Sequence, residues 1–274
     1  MKTAKDYTLY ELLAVNISKM FRDDDVGFTG LVTGDQTAVM ASMVPLAAMS
    51  LAQHTHAPNM TVLLAGMLHN PDLSKLTTVP NSEFEPTSVD VDSEAMMLGF
   101  PAPWCVNRGD ITVGFSSGAQ IDAYGNMNSV CIGDHDHPKV RLVGAIFQTE
   151  HLALFGREII TMKLEKRKFV EKVDFVSAVG YPGGREGRAK LGLSGAGPEY
   201  VVTDKCIFNF HEVTGRMQLY SIHPGYTPED IRNETGFAIE NLYDAKETPA
   251  PTEEELYLLR NIIDPKGLLL PRSI

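Results

Sequence analysis

Apolar residues recur at steps of three and four through Leu9, Leu12, Leu13, Ile17, Met20 and Phe21, which predicts an amphipathic helix over residues 7–22. Thr8 stands as its N-cap, with Glu11 completing a capping box. A short strand over 26–31 follows, punctuated by Gly27, Gly30 and Gly34. Residues 36–53 are apolar almost all round, so this predicted helix is buried within the protein or against a partner. Pro45 should kink or split it. Residues 61–64 form a short apolar strand running into Ala65-Gly66. Residues 70–94 show no period and hold Pro71, Pro80 and Pro86. They predict a long irregular segment of the kind that serves a site or an interface.

Further strands are expected over 111–115, 140–146, 200–203, 206–210 and 217–222, with a half-buried one over 169–177 and a strand or hairpin in 152–154 with 159–163. Two short helices close the chain, one capped by Thr227 with Pro228 in its first turn, the other over 252–263 with a Thr252–Glu255 capping box. Residues 244–252 read as a candidate hinge without a domain boundary. Helix–strand alternation followed by clustered strands predicts an α/β fold. We expect a mixed, mainly parallel sheet flanked by helices, forming a single domain over 1–274.

The net charge of -11 repels phosphate and excludes a nucleic-acid partner. Cys105, Cys131 and Cys206 are far apart, so neither a disulfide framework nor a metal-type spacing is implied, and a cytoplasmic setting is expected. The longest apolar stretch, 39–52, is too short and too interrupted to span a bilayer, and the N-terminus lacks a signal-peptide core.

The most informative stretch is Gly118-Ala119-Gln120-Ile121-Asp122-Ala123-Tyr124-Gly125-Asn126-Met127-Asn128-Ser129. Small and amide residues replace the charges usual in a surface loop. Such a segment suits close backbone approach to a bulky ligand or a partner subunit. Asp134-His135-Asp136-His137 offers either metal ligands or an Asp-capped turn; the turn is favoured, and no metal is expected. Residues 180–187 are a glycine-rich loop, either a phosphate cradle with Arg185 and Arg188 as cations or a plain turn. Cys131 suits an inert buried thiol. Glu150-His151 is a candidate acid–base pair weakened by its place on a strand, where adjacent residues face opposite sides.

Several of these pieces together resemble the beta subunit of the family I CoA-transferases. The matching text runs through Gly118-Ala119-Gln120-Ile121-Asp122, Tyr124-Gly125-Asn126, Ile132-Gly133-Asp134, Val173-Asp174-Phe175, Gly183-Gly184-Arg185, Val201-Val202-Thr203-Asp204-Lys205 and His223-Pro224-Gly225. The tail is similar to that of a hydrolase branch that opens steroid rings. The resemblance implies an obligate alpha-type partner of the same fold, a heterotetramer, and an active site at the subunit seam. It also implies an acyl-CoA substrate, with coenzyme A as part of that substrate and no separate cofactor.

In the transferases, a glutamate of a Glu-Ser/Asn-Gly turn attacks the thioester, splitting one hard transfer into two easier ones. The equivalent stretch here is Leu64-Ala65-Gly66, so Leu64 stands where the nucleophile is expected. A decarboxylase branch carries a cysteine there, which this chain also lacks. The family's glycine-rich loop is replaced by Gly144-Ala145-Ile146-Phe147-Gln148-Thr149. These departures imply divergence towards hydrolysis or ring opening, with the catalytic acid on the partner. Gly66, Gly118, Ala119, Gln120, Asp122, Gly125, Asn126 and Arg185 are the substrate- or CoA-binding candidates. Two alternatives stay open: a true CoA-transferase using Glu83 or Glu94, and a non-catalytic structural subunit.

Overall fold

The computed structural model describes residues 2–31, 38–80, 82, 85–97 and 109–272. Gly34, Glu83, Cys105 and the start of the predicted 36–53 helix lie outside them. The chain falls into two compact units, residues 1–115 with 249–274, and residues 116–248.

In the first unit the helix Leu9–Ser18 carries the Thr8–Glu11 capping box in both directions. Pro45 has the consequence its missing N–H dictates: a π-helical turn, Val39–Met43, precedes the α-helix Val44–Gln53. That helix is buried almost all round. Strands β1 (Val26–Thr29), β2 (Thr61–Leu64), β3 (Leu68–Pro71), β4 (Ser93–Met96) and β5 (Val113–Ser116) lie in the order β5-β1-β2-β3-β4. β1 runs parallel to both β2 and β5, and β3 and β4 fold back antiparallel. The expected irregularity of 70–94 is therefore only partial, since β3 and β4 bracket it. Asn70 makes this possible. It sits at a φ of 45° and accepts from Val62 N–H and Gln53 Nε2, replacing ladder bonds that the sharp bend removes.

The second unit begins with two small hairpins, β6 (Gln120–Ile121) with β7 (Met127–Asn128) and β8 (Cys131–Gly133) with β9 (Pro138–Arg141). A helix, Gln148–Leu154, then leads into β10 (Arg157–Thr161). The strand expected over 152–154 is thus helical, and the strand expected over 140–146 ends at Arg141. β10 pairs parallel with β11 (Pro198–Val202), and β12 (Cys206–Phe210) and β13 (Met217–Ile222) continue antiparallel as expected. β14 (Lys246–Glu247) runs parallel to β13. Alternating Val201, Phe208, Phe210 and Leu219 fill the core of this unit with Phe169, Met127 and Ile160. Residues 169–177 form no strand; Ile121–Phe169 and Met127–Ala178 are single bridges onto the first hairpin. Each unit therefore combines helices with a mixed sheet.

Candidate active site

Two of the second unit's segments close around β6 and β7. Asp122 accepts from the N–H groups of Tyr124 and Asn126 at 2.9 and 3.1 Å, and Asn126 Nδ2 reaches both its oxygens. This fixes the turn, and burial raises the Asp122 pKa against the pull of those bonds. Gly125 is required twice over: its φ is 74°, and a Cβ there would stand 2.7 Å from Pro198 and 2.9 Å from Phe210. Gln120 is equally engaged. Its Oε1 accepts from Asn128 Nδ2 and Asp174 N–H, and its Nε2 donates to Asp174. The side chains of Gln120, Asp122 and Asn126 thus point into the hairpin and shape it. None of the three presents an exposed acid or base. Ala119 and Gly118 are half-buried on the backbone side, and a Cβ on Gly118 would press Met127 at 3.0 Å.

Residues 177–181 lie along this hairpin. Ser177 N–H donates to Met127 O, Met127 N–H to Ala178 O, Tyr181 N–H to Tyr124 O and Gly180 N–H to Asn126 Oδ1. Gly180 has no alternative, because a Cβ would sit 2.1 Å from the Tyr124 carbonyl. On the other side, Gly144 N–H donates to Ser129 O and Gln148 Nε2 to Ser117 O. Gln148 Oε1 lies 3.1 Å from both Ser129 Oγ and Ser177 Oγ. The hairpin, residues 177–181 and the turn before Gln148 are therefore one hydrogen-bonded body.

Arg185 lies in the first turn of the short helix Gly184–Ala189, not in a free loop. Its guanidinium lies 4.4 Å over the Tyr181 ring and bonds Tyr181 Oη and the Phe210 and His211 carbonyls. Contact with a phosphate there means giving these up. Arg188, which the sequence offers only as a spare cation, is buried and donates to the carbonyls of Val179, Gly180, Leu152 and Gly195. Its partners are all backbone, so no residue type in the sequence marks them.

Leu64 and Gly66 belong to the first unit. Leu64 ends β2, is 2% exposed, and precedes Ala65 at φ 55° and Gly66 at φ 68°. Met67 N–H closes this turn on Leu64 O at 3.1 Å. A non-glycine residue at positive φ is costly, and such strain gathers at functional positions. Glu94, the described rival acid, is exposed on β4 and accepts from Asn70 Nδ2 at 2.6 Å.

The remaining candidates resolve plainly. Asp134 Oδ1 accepts from the N–H groups of Asp136 and His137, the Asp-capped turn. Among the described residues no group of three or more His, Cys, Asp and Glu is placed to hold a metal ion. Cys131 and Cys206 are buried, and burial pushes the Cys206 thiol well up. Glu150 and His151 sit on a helix, contrary to the strand expectation, and His151 Nδ1 meets the buried Glu158 carboxylate at 3.1 Å between the Phe147 and Phe155 rings.

A family model of coenzyme A transferases matches residues 105–234. The B-type subunit of glutaconate CoA-transferase from Acidaminococcus fermentans is 35% identical over 265 residues, covering 95% of each chain. The crystal structure of glutaconate coenzyme A-transferase from that organism matches with a TM-score of 0.78 at 32% identity, over 97% of this chain and 98% of that one. The B-type subunit of 3-oxoadipate CoA-transferase from Pseudomonas knackmussii is 32% identical over 254 residues, 93% of this chain and 92% of its own. The IpdB subunit of the cholesterol ring-cleaving hydrolase of Mycobacterium tuberculosis is 33% identical over 149 residues, 54% of this chain and 59% of its own. The chain belongs to the coenzyme A transferase family. Within that family it is a homologue of the beta-type subunits, and its relatives include both transferase and hydrolase components.

Proposed function

We propose that this chain is the beta-type subunit of a heteromeric enzyme acting on an acyl-CoA, and that it carries no covalent CoA intermediate. One observation carries the reading: a chain alignable end to end with beta-type transferase subunits has Leu64 where the attacking glutamate is expected. An aliphatic group has no electron pair to attack a thioester and no proton to exchange. A strained Ala65-Gly66 turn follows it directly. Activation of water or substrate then falls to an acidic group of an alpha-type partner, and the chemistry becomes hydrolysis or ring opening. The hairpin Gly118–Ser129 serves as a rigid floor whose own hydrogen bonds hold its shape. Coenzyme A enters as part of the substrate, no resident cofactor is required, and the complex is a cytoplasmic heterotetramer. Among the described residues no helix is long and apolar enough to cross a membrane.

Two relatives more than 30% identical and matched over more than nine-tenths of their length are transferases, which favours CoA transfer as the second reading. One experiment separates the two. The assembled complex is incubated with acyl-CoA, trapped with hydroxylamine or borohydride, and this chain is mapped by mass spectrometry. Hydrolysis by partner chemistry predicts an unmodified chain. A modified glutamate, Glu94 or Glu83 foremost, establishes transfer and refutes the proposal.

A further inference from the structure

The first residues of the chain lie as a strap along its last helix. Thr3 bridges Thr252, Ala4 N–H donates to Pro251 O at 2.9 Å, and Glu253 N–H donates to Lys2 O at 3.0 Å. Between strap and helix, within the first unit, is a cavity of about 500 Å³. The helix changes character beside it: an α-helical turn, Glu253–Tyr257, passes into a π-helical one, Leu258–Ile263. Short π-helical turns are rare and gather at functional sites. Asn261 Nδ2 donates back to Tyr257 O at 3.0 Å, which fixes the amide and leaves its oxygen to accept. Leu256 lines the cavity as a buried apolar group and Tyr257 as an exposed ring. Most of the charge around the cavity is already matched. Lys2 Nζ pairs with Glu253 at 2.6 Å, and Arg260 is held by both oxygens of the buried Glu11 at 2.6 and 2.8 Å. The Lys5 ammonium and the Asp6 carboxylate remain. Both residues are exposed lining residues, and among the described residues neither charged group has a hydrogen bond or ion pair. Asp6 lies in the field of Arg260, a cation that Glu11 already neutralises.

We infer that this cavity binds a free α-amino acid with an apolar side chain. Its carboxylate meets Lys5, its ammonium meets Asp6 and the Asn261 amide oxygen, and its side chain covers Leu256 beside the Tyr257 ring. The charge pattern selects the class. Lys2, Lys5 and Arg260 are balanced by Asp6, Glu253 and Glu11, so a polyanion finds no surplus of positive charge. A simple carboxylic acid would answer Lys5 and leave Asp6 unmatched, and a simple amine would do the reverse. A zwitterion answers both through charge-assisted hydrogen bonds, and an apolar side chain gains by leaving water.

The test is titration calorimetry of the assembled two-subunit complex with leucine, 4-methylpentanoate and 3-methylbutylamine. The last two keep the side chain and one charge each. Leucine should bind, and each analogue should bind about tenfold more weakly, as the loss of one charge-assisted hydrogen bond requires. Lys5→Gln and Asp6→Asn should each weaken leucine about tenfold. Both sites are exposed, so the Tm of each variant should stay within about 2 °C of wild type. Lys5→Arg keeps the charge and should retain most of the affinity. Absence of leucine binding up to about 10 mM overturns the inference. So do equal affinities for the three probes, or variants that bind leucine as wild type does. None of the probes carries coenzyme A, so a failure here is distinct from a failure of the acyl-CoA reading.

Discussion

Replacing Arg188 with methionine keeps most of the volume and removes the charge. In the native protein Nη1 lies 2.8 and 2.9 Å from the carbonyls of Val179 and Gly180, and Nη2 reaches Leu152 O and Gly195 O. The strongest influence on its pKa is burial, which lowers it, and the charged or aromatic neighbours acting on it are Tyr181 and a second cation, Arg185. Carbonyl dipoles therefore take the place that a carboxylate usually fills. A charge-assisted hydrogen bond contributes about 1.5–3 kcal/mol. The four share one cation whose desolvation offsets part of the gain, so they do not add. Methionine also leaves buried carbonyls without donors. The net cost should be about 3–5 kcal/mol, or a fall in Tm on the order of 10 °C for a chain this long. Thermal unfolding followed by circular dichroism measures it, and hydrogen exchange should show the loss concentrated around residues 152–155, 178–181 and 195–197. Lysine, a point charge unable to span four acceptors, should recover less than half. If Arg188→Met unfolds within about 1 kcal/mol of wild type, the carbonyl cluster is not what holds these segments together.

His223 gives a pH dependence. Its Nε2 faces the Thr203 carbonyl, which only accepts, so Nε2 carries the proton and Nδ1 accepts from Thr248 Oγ1–H; Ser221 donates to that hydroxyl in turn. Burial lowers its pKa below the ordinary 6.5. The unfolded chain therefore binds the proton first, and the stability contributed is complete above about pH 6.5 and falls as the medium is acidified. Tm measured across this window should drop more for wild type than for His223→Gln; equal slopes refute it. Gly125→Ala should cost at least about 2 kcal/mol, from positive φ and the Pro198 and Phe210 clashes together, read by urea unfolding; a neutral result would mean the hairpin moves aside freely.

Much of the frame is legible where the signal is local. Capping boxes at Thr8–Glu11 and Thr252–Glu255 can be read because both partners lie within one turn. β13 shows in its alternation. The helix Gln148–Leu154 does not, because a short apolar run is shared by buried strands and helices. Residues 169–177 alternate like a strand, yet their bonds go singly to the hairpin. Gln120 and Asp122 stand out in the sequence as unusual, but their polarity faces inward, and alanine there would report on folding before it reported on catalysis. The structural roles of Arg188 and Ile146 leave no trace in the sequence, since one is defined by distant carbonyls and the other by a dihedral.

The missing Cβ of Gly180 lets the Tyr124 carbonyl approach a position that any other residue would occupy. Residues 117–129, 143–149 and 177–181 are consequently a single cassette for protein engineering. A loop grafted alone from a relative with a different acyl preference would arrive without its anchors, whereas the three transplanted together would bring their own scaffolding.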